Sequence, residues 1–354
     1  MKHHLTRRAR VFSAVSAAAA ALALSAGPAL ADPPAETYPP LAGTGSDTTQ
    51  YVLNGLSRTI AAIGSYDAID PVTHQPGGTI QTRQNGAVFD RPDGSGNGIR
   101  ALTASINPTG TYVWHTKVIT GQLDFARSSS GPSGVGTELT YIPFALDAVS
   151  YAYSDWGDSS VPSYLTREEL ADIYRGDTTT YVDAAGVTQQ YIPMLPQSGS
   201  GTRTFFLAQI GVSDVEVQWI SDIVQENDGT NVSEVGMIVP FSAGSWIAQF
   251  NSVVPNTITD NLVKVGSLDD DIYGIIAPVA NGSLNPLFPF KRNVYNVVET
   301  ARLTSQAQAD VLLKQTFAGP SSSVCQATAT ITAYGFATIP NCGVTTITGP
   351  YIAP

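Results

Sequence analysis

The stretch Ser198-Gly199-Ser200-Gly201-Thr202-Arg203-Thr204-Phe205 decides how the chain is read. It sets glycines and hydroxyl residues directly before an apolar-periodic segment, which predicts a helix over 201–210. A helix start exposes unpaired N–H groups and about half a positive charge. Glycines let the backbone approach an anion and hydroxyls add donors, so the layout suits a small anion. The design recurs twice: Gly43-Thr44-Gly45-Ser46-Asp47-Thr48-Thr49 precedes a predicted helix over 47–63, and Gly94-Ser95-Gly96-Asn97-Gly98 precedes one over 98–105. A fourth segment, Asp124-Phe125-Ala126-Arg127-Ser128-Ser129-Ser130, adds hydroxyls and a guanidinium. One such cluster is ordinary capping. Several in one chain ask for more, because capping needs no glycine pairs.

Outward from these clusters, strands and helices alternate. Strands are predicted at 41–44, 79–83, 123–126, 142–153, 190–195, 272–276 and 293–298. Helices are predicted at 166–174, 215–225, 245–254 and 305–317, with 328–339 as strand or turn. Thr166 with Glu169 three residues on predicts a capping box. The alternation implies an α/β fold with a mostly parallel sheet or two. Beyond the leader discussed below, about 320 residues remain, more than one ordinary core takes, so two lobes are expected.

Composition excludes several classes. The 354 residues are 43% hydrophobic and 13% charged, which does not fit a disordered chain. The net charge is −11, and no basic run accompanies it, so neither nucleic acid nor an anionic membrane surface is an expected partner. Histidine and cysteine are too few for a multi-metal enzyme. No Gly-x-Ser-x-Gly elbow occurs, and no lysine lies three residues after a serine. A Ser–His–Asp triad would have to use His74, in a Pro/Gly-rich loop, or His115, after Trp114; both read better as surface or core-edge residues. Asp269-Asp270-Asp271 lacks the glycine and distal glutamate of a calcium loop and reads as a solvated turn. No catalytic residue, metal or cofactor is expected.

Residues 1–31 read as a cleavable signal peptide: Lys2, Arg7, Arg8 and Arg10, then the apolar run 11–26, then Ala29-Leu30-Ala31. Loss of these four cations takes the net charge from −11 to −15. Residues 32–40 form an extended Pro-rich segment. A secreted or periplasmic product is expected, with no membrane insertion of the mature protein and no lipid-anchor cysteine. In an oxidising compartment Cys325 and Cys342 default to a disulfide, with two buried thiols as the alternative.

The ordered clusters resemble the phosphate-binding protein of the bacterial phosphate ABC transporter and its relatives, which have the type 2 periplasmic-binding-protein fold. Ser198 to Phe205 looks like the family's phosphate loop, 165–176 (LTREELADIYRG) like the helix before it, and 334–340 (YGFATIP) like its C-terminal element. The resemblance implies two α/β lobes joined by two hinge strands, near 143–151 and 289–298. Lobe one would take 41–143 plus 295–354, and lobe two 144–294. It implies capture of phosphate or another small oxyanion for uptake through an ABC permease. A different small polar ligand, or a secreted hydrolase or interaction protein on the same scaffold, is the alternative.

The ligand set implied is Ser46, Asp47, Thr48, Ser95, Arg127, Ser128, Ser129, Ser200, Gly201, Thr202 and Arg203. Three positions depart from the family pattern. Ser129 replaces the family's proton-accepting aspartate, and Pro196 its arginine, so Arg127 or Arg203 is expected to supply the cation. Asp47 replaces a neutral hydroxyl residue, where it either accepts the ligand's proton or repels a dianion.

Overall fold

A computed structural model describes residues 32–70, 73, 76–221 and 223–354. The signal peptide expected over 1–31, and His74, lie outside the described residues. One nine-stranded sheet organises the molecule: β1 (Leu41–Gly45), β2 (Ile63–Ser65), β3 (Phe125–Ser128), β4 (Leu139–Ser154), β5 (Ile192–Pro193), β6 (Met237–Ser242), β7 (Val263–Val265), β8 (Lys291–Glu299) and β9 (Thr348–Gly349). The order is β5-β6-β4-β8-β3-β1-β2, with β7 and β9 also pairing with β4. The sheet is mixed, not mostly parallel. Parallel pairs stand at its ends, β1 with β2 and β3, and β5 with β6. The centre is antiparallel, because β4 and β8 each run from one end to the other.

Strand β4 is apolar along nearly all its length and buried on both faces, as a central strand must be. It pairs with β8 from Leu139↔Glu299 to Ala148↔Lys291, and the register shifts between Val294 and Tyr295. The shift falls opposite Pro143, which has no N–H to give to a regular ladder.

Helices α1 (Gln50–Thr59), α2 (Gly94–Ile106), α3 (Arg167–Arg175), α4 (Gly201–Ile210), α5 (Ala243–Phe250) and α6 (Gln308–Phe317) cover the sheet. The capping box on α3 is present: Thr166 Oγ1 accepts from Glu169 N (3.1 Å), and Thr166 N donates to Glu169 Oε2 (2.8 Å). Two of the four buried apolar clusters among the described residues flank the central strands. Leu41, Val52, Leu56, Phe125 and Phe317 belong to one, and Tyr174, Leu195, Phe206 and Phe290 to the other. Helix α5 joins them, with Ile247 in the second core and Ala248 in the first.

Two predicted elements are corrected. Residues 214–219 form successive turns instead of a helix. Val215, Val217 and Ile220 are β-branched, which lowers helix propensity. Residues 328–333 are helical where strand or turn was expected. Cys325 and Cys342 form a disulfide. It encloses that helix and brings Gly343 N to the Pro143 carbonyl (2.9 Å), so the C-terminal loop is fastened to β4.

Candidate functional site

Three helix starts converge where the two cores meet. The β1–α1 turn buries Ser46, Asp47, Thr48 and Thr49. It can turn this tightly because Gly45 has φ +124° and packs on Gly98 of α2, where a Cβ would lie 2.5 Å from the Gly45 Cα. Across the cleft, Gly96 N donates to the Gly199 carbonyl (3.1 Å), and a Cβ on Gly201 would strike the hydroxyls of Ser129 and Ser95. Only backbone without side chains lets α2 and α4 approach this closely.

The hydroxyls form one buried cluster. Thr48 Oγ1 lies 3.0 Å from Thr202 Oγ1 and 3.5 Å from Ser129 Oγ. Ser95 Oγ lies 3.2 Å from Ser129 Oγ and accepts from Ser129 N (2.9 Å). Ser200 caps α4, accepting from Thr202 N and Arg203 N (3.0 and 3.2 Å). The starts of α1 and α2 carry no side-chain cap, so they keep donors for another acceptor.

Both expected arginines lie elsewhere. Arg127 is fully buried, and its guanidinium donates to the carbonyls of Ser46 (3.1 Å) and Tyr66 (2.7 Å) and to Ser65 Oγ (3.0 Å). Burial lowers its pKa to about 10, so it stays charged at neutral pH. Arg203 pairs with Asp214 (2.7 Å) and donates to the Pro196 carbonyl (3.1 Å). Ser128 donates to the Ser130 carbonyl (2.7 Å) and takes no part in the cluster, while the buried Ser46 Oγ has no partner among the described residues.

The cation in the cluster is Arg292, on β8. Its Nη2 donates to Thr202 Oγ1 (2.6 Å), approaches Thr48 Oγ1 (3.4 Å) and pairs with Asp147 Oδ2 (2.9 Å) on β4. Asp147 is held in turn by Ser242 Oγ (2.9 Å) and Gly244 N (3.2 Å) at the start of α5. Arg292 Nη1 is buried without a partner among the described residues. A sequence signal existed: Arg292 alternates with Phe290 and Val294 on the buried face of a strand, where an unpaired charge is not tolerated.

A second residue absent from the expected set is Glu226, fully buried in a loop whose neighbours Gln225, Asn227 and Asp228 read as a polar turn. It accepts from Thr48 Oγ1 (2.8 Å) and Ser200 Oγ (3.1 Å), one from each side of the cleft. Asp47 stands beside it, and neither Asp47 oxygen has a side-chain donor among the described residues. Burial first, and then the negative charge of Glu226, holds the Asp47 pKa well above the usual carboxylate range. The shift favours the neutral form of Asp47 beside Glu226.

Among the described residues no group of His, Cys, Asp and Glu is arranged to hold a metal, and no helix is long and apolar enough to cross a membrane. The cleft opens into a cavity of about 630 Å³.

The fold has solved counterparts. A putative phosphate ABC transporter substrate-binding protein with bound phosphate from Clostridium perfringens aligns with TM-score 0.52 and 14% identity, over 84% of this chain and 99% of that one. An ABC-type phosphate transport receptor from Vibrio cholerae aligns with TM-score 0.52 and 16% identity, over 84% and 100%. A high-affinity periplasmic phosphate-binding protein bound with phosphate aligns with TM-score 0.52 and 16% identity, over 85% and 91%. At these identities the likeness is one of fold. No curated protein matches the chain. The family model of the PBP superfamily domain matches residues 40–314, from the segment before β1 into α6, and the chain belongs to that family.

Proposed function

We propose that the protein is a solute-binding protein, not an enzyme, that captures phosphate or a similar oxyanion between two lobes for uptake. One observation carries the reading: Thr48, Ser95, Ser129 and Thr202 bring hydroxyls from both sides of the cleft to one buried point beside Arg292. Charge-assisted hydrogen bonds from a guanidinium and helix starts are the strong kind that a buried oxyanion needs. The phosphate named in the solved relatives supports the same ligand class.

In this reading the upward shift of the Asp47 pKa favours its neutral form, which lessens repulsion of the anion. Glu226 is the acceptor for a proton on the ligand, in the role expected of Asp47. Gly201 contributes close approach, and Arg127, Ser128 and Arg203 support the surrounding structure. Lobe one comprises 41–143 plus 295–354 and lobe two 144–294, with α5 packed on both. The hinges are β4 and β8, and Arg292 sits on one of them. Residues 1–31 direct export, and an ABC permease receives the ligand.

Titration calorimetry of the exported chain with phosphate and sulfate tests the proposal. Saturable heat with phosphate is expected, and sulfate, which has no proton to give Glu226, should bind more weakly. Absence of heat with every oxyanion would remove the reading.

A further inference from the structure

The cavity that opens from the cluster is too large for a bare oxyanion. Its volume is about 630 Å³. A tetrahedral ion of five heavy atoms displaces about three waters, roughly 90 Å³. Pockets of 300–1,000 Å³ are those that enclose organic ligands. Ser129, Ser200, Gly201 and Arg292 form part of the cavity wall, so the cavity is continuous with the cluster.

The rest of the wall has the chemistry of an organic subsite. Tyr141, Tyr295, Phe205, Ile99 and Ile352 supply apolar and aromatic surface from both sides of the cleft. Tyr295 meets Tyr141 edge-on at 6.0 Å, and Phe205 lies under the Arg292 guanidinium at 5.3 Å. Two wall residues hold buried polar atoms with no partner among the described residues: Tyr141 Oη and Arg292 Nη1. Arg100 adds a second cation, engaged among the described residues by a long 3.5 Å bond to Asn97. A second cation next to aromatic faces matches a hydroxylated organic group better than bulk water.

We propose that the ligand is a phosphomonoester, with its phosphoryl group on the helix starts and Arg292 and its organic part in this cavity. The inference rests on the oxyanion reading and narrows it.

The test titrates the exported chain with inorganic phosphate, glycerol 3-phosphate, glucose 6-phosphate and adenosine 5′-monophosphate. At least one ester should bind tenfold or more tightly than inorganic phosphate. Ala208→Trp, at an exposed α4 position on the cavity wall, should weaken that ester at least tenfold and leave phosphate within about twofold. Thr204→Trp is a second block one turn earlier, for use if the first variant folds poorly. Phosphate binding as tightly as every ester overturns the inference and leaves the oxyanion reading standing. An ester preference unaffected by either folded block also overturns it. No binding by any of the four overturns both.

Discussion

Arg127 and Arg292 are both buried near the cleft, and they do opposite work. Arg127, one residue before the end of β3, gives its donors to Ser46, Ser65 and Tyr66, so it stitches β1, β2 and β3 together. Arg292 lies on β8, is balanced by Asp147, and has one nitrogen without a partner among the described residues, beside hydroxyls from both sides. Burial and charge are the same; the disposition of donors differs. An arginine whose donors are consumed by carbonyls and a hydroxyl of neighbouring strands is structural, and one braced by a carboxylate with a donor left over is available to a ligand.

Variants at the two positions should separate stability from binding. Arg127→Met should have the largest effect. It strands buried carbonyls and takes from Asp67 the stronger of its two cationic neighbours, leaving Arg91, which should cost about 3–5 kcal/mol of folding stability in urea denaturation. If the variant unfolds at the wild-type midpoint, the structural assignment of Arg127 is wrong.

The pH dependence of stability probes the same region from the acid side. Burial, opposed chiefly by Arg127, raises the Asp67 pKa from 3.8 to about 7. The unfolded chain therefore releases this proton near pH 4 and the folded chain near pH 7. Between these values the native state holds the extra proton, so stability is full below about pH 4 and falls as pH rises towards 7. The drop is on the order of 4 kcal/mol at most. Asp67→Asn should lose this part of the slope in midpoints measured across that range.

For binding, Arg292→Gln should weaken phosphate at least 100-fold, about 2.8 kcal/mol, with the chain still folded. Asp147 stays hydrogen-bonded by Ser242 and Gly244 in that variant. Thr202→Val should weaken phosphate about tenfold by removing one hydroxyl. Arg203→Ala should change it less than about threefold, since its guanidinium is committed to Asp214 and the Pro196 carbonyl. Calorimetry on the three variants ranks them, and a larger loss at Arg203 than at Arg292 would reverse the comparison.

Much of this was legible because it depends on neighbours in sequence. The helix at 201–210, the capping box at Thr166 and the run that became β4 follow from local caps and apolar patterning. The helix predicted over 215–225 does not form, because β-branched Val215, Val217 and Ile220 weaken it and 214–219 are successive turns. The mixed sheet was not legible either, since strand direction depends on which strands pair, and β4 and β8 stand more than a hundred residues apart.

The sequence by itself determined that glycine and hydroxyl clusters precede helices, and that an acidic chain can still hold donors for one small anion. Helix starts are local objects, so residues 43–49, 94–98 and 198–205 announce them without a fold. Only the tertiary structure decided which charges join them. Arg127 and Arg203 are near the clusters in sequence and turn away. Arg292, Asp147 and Glu226 are distant in sequence and meet there, because β4, β8 and a loop come together at the cleft. Charges act through space, and their distances are fixed only when the strands have paired.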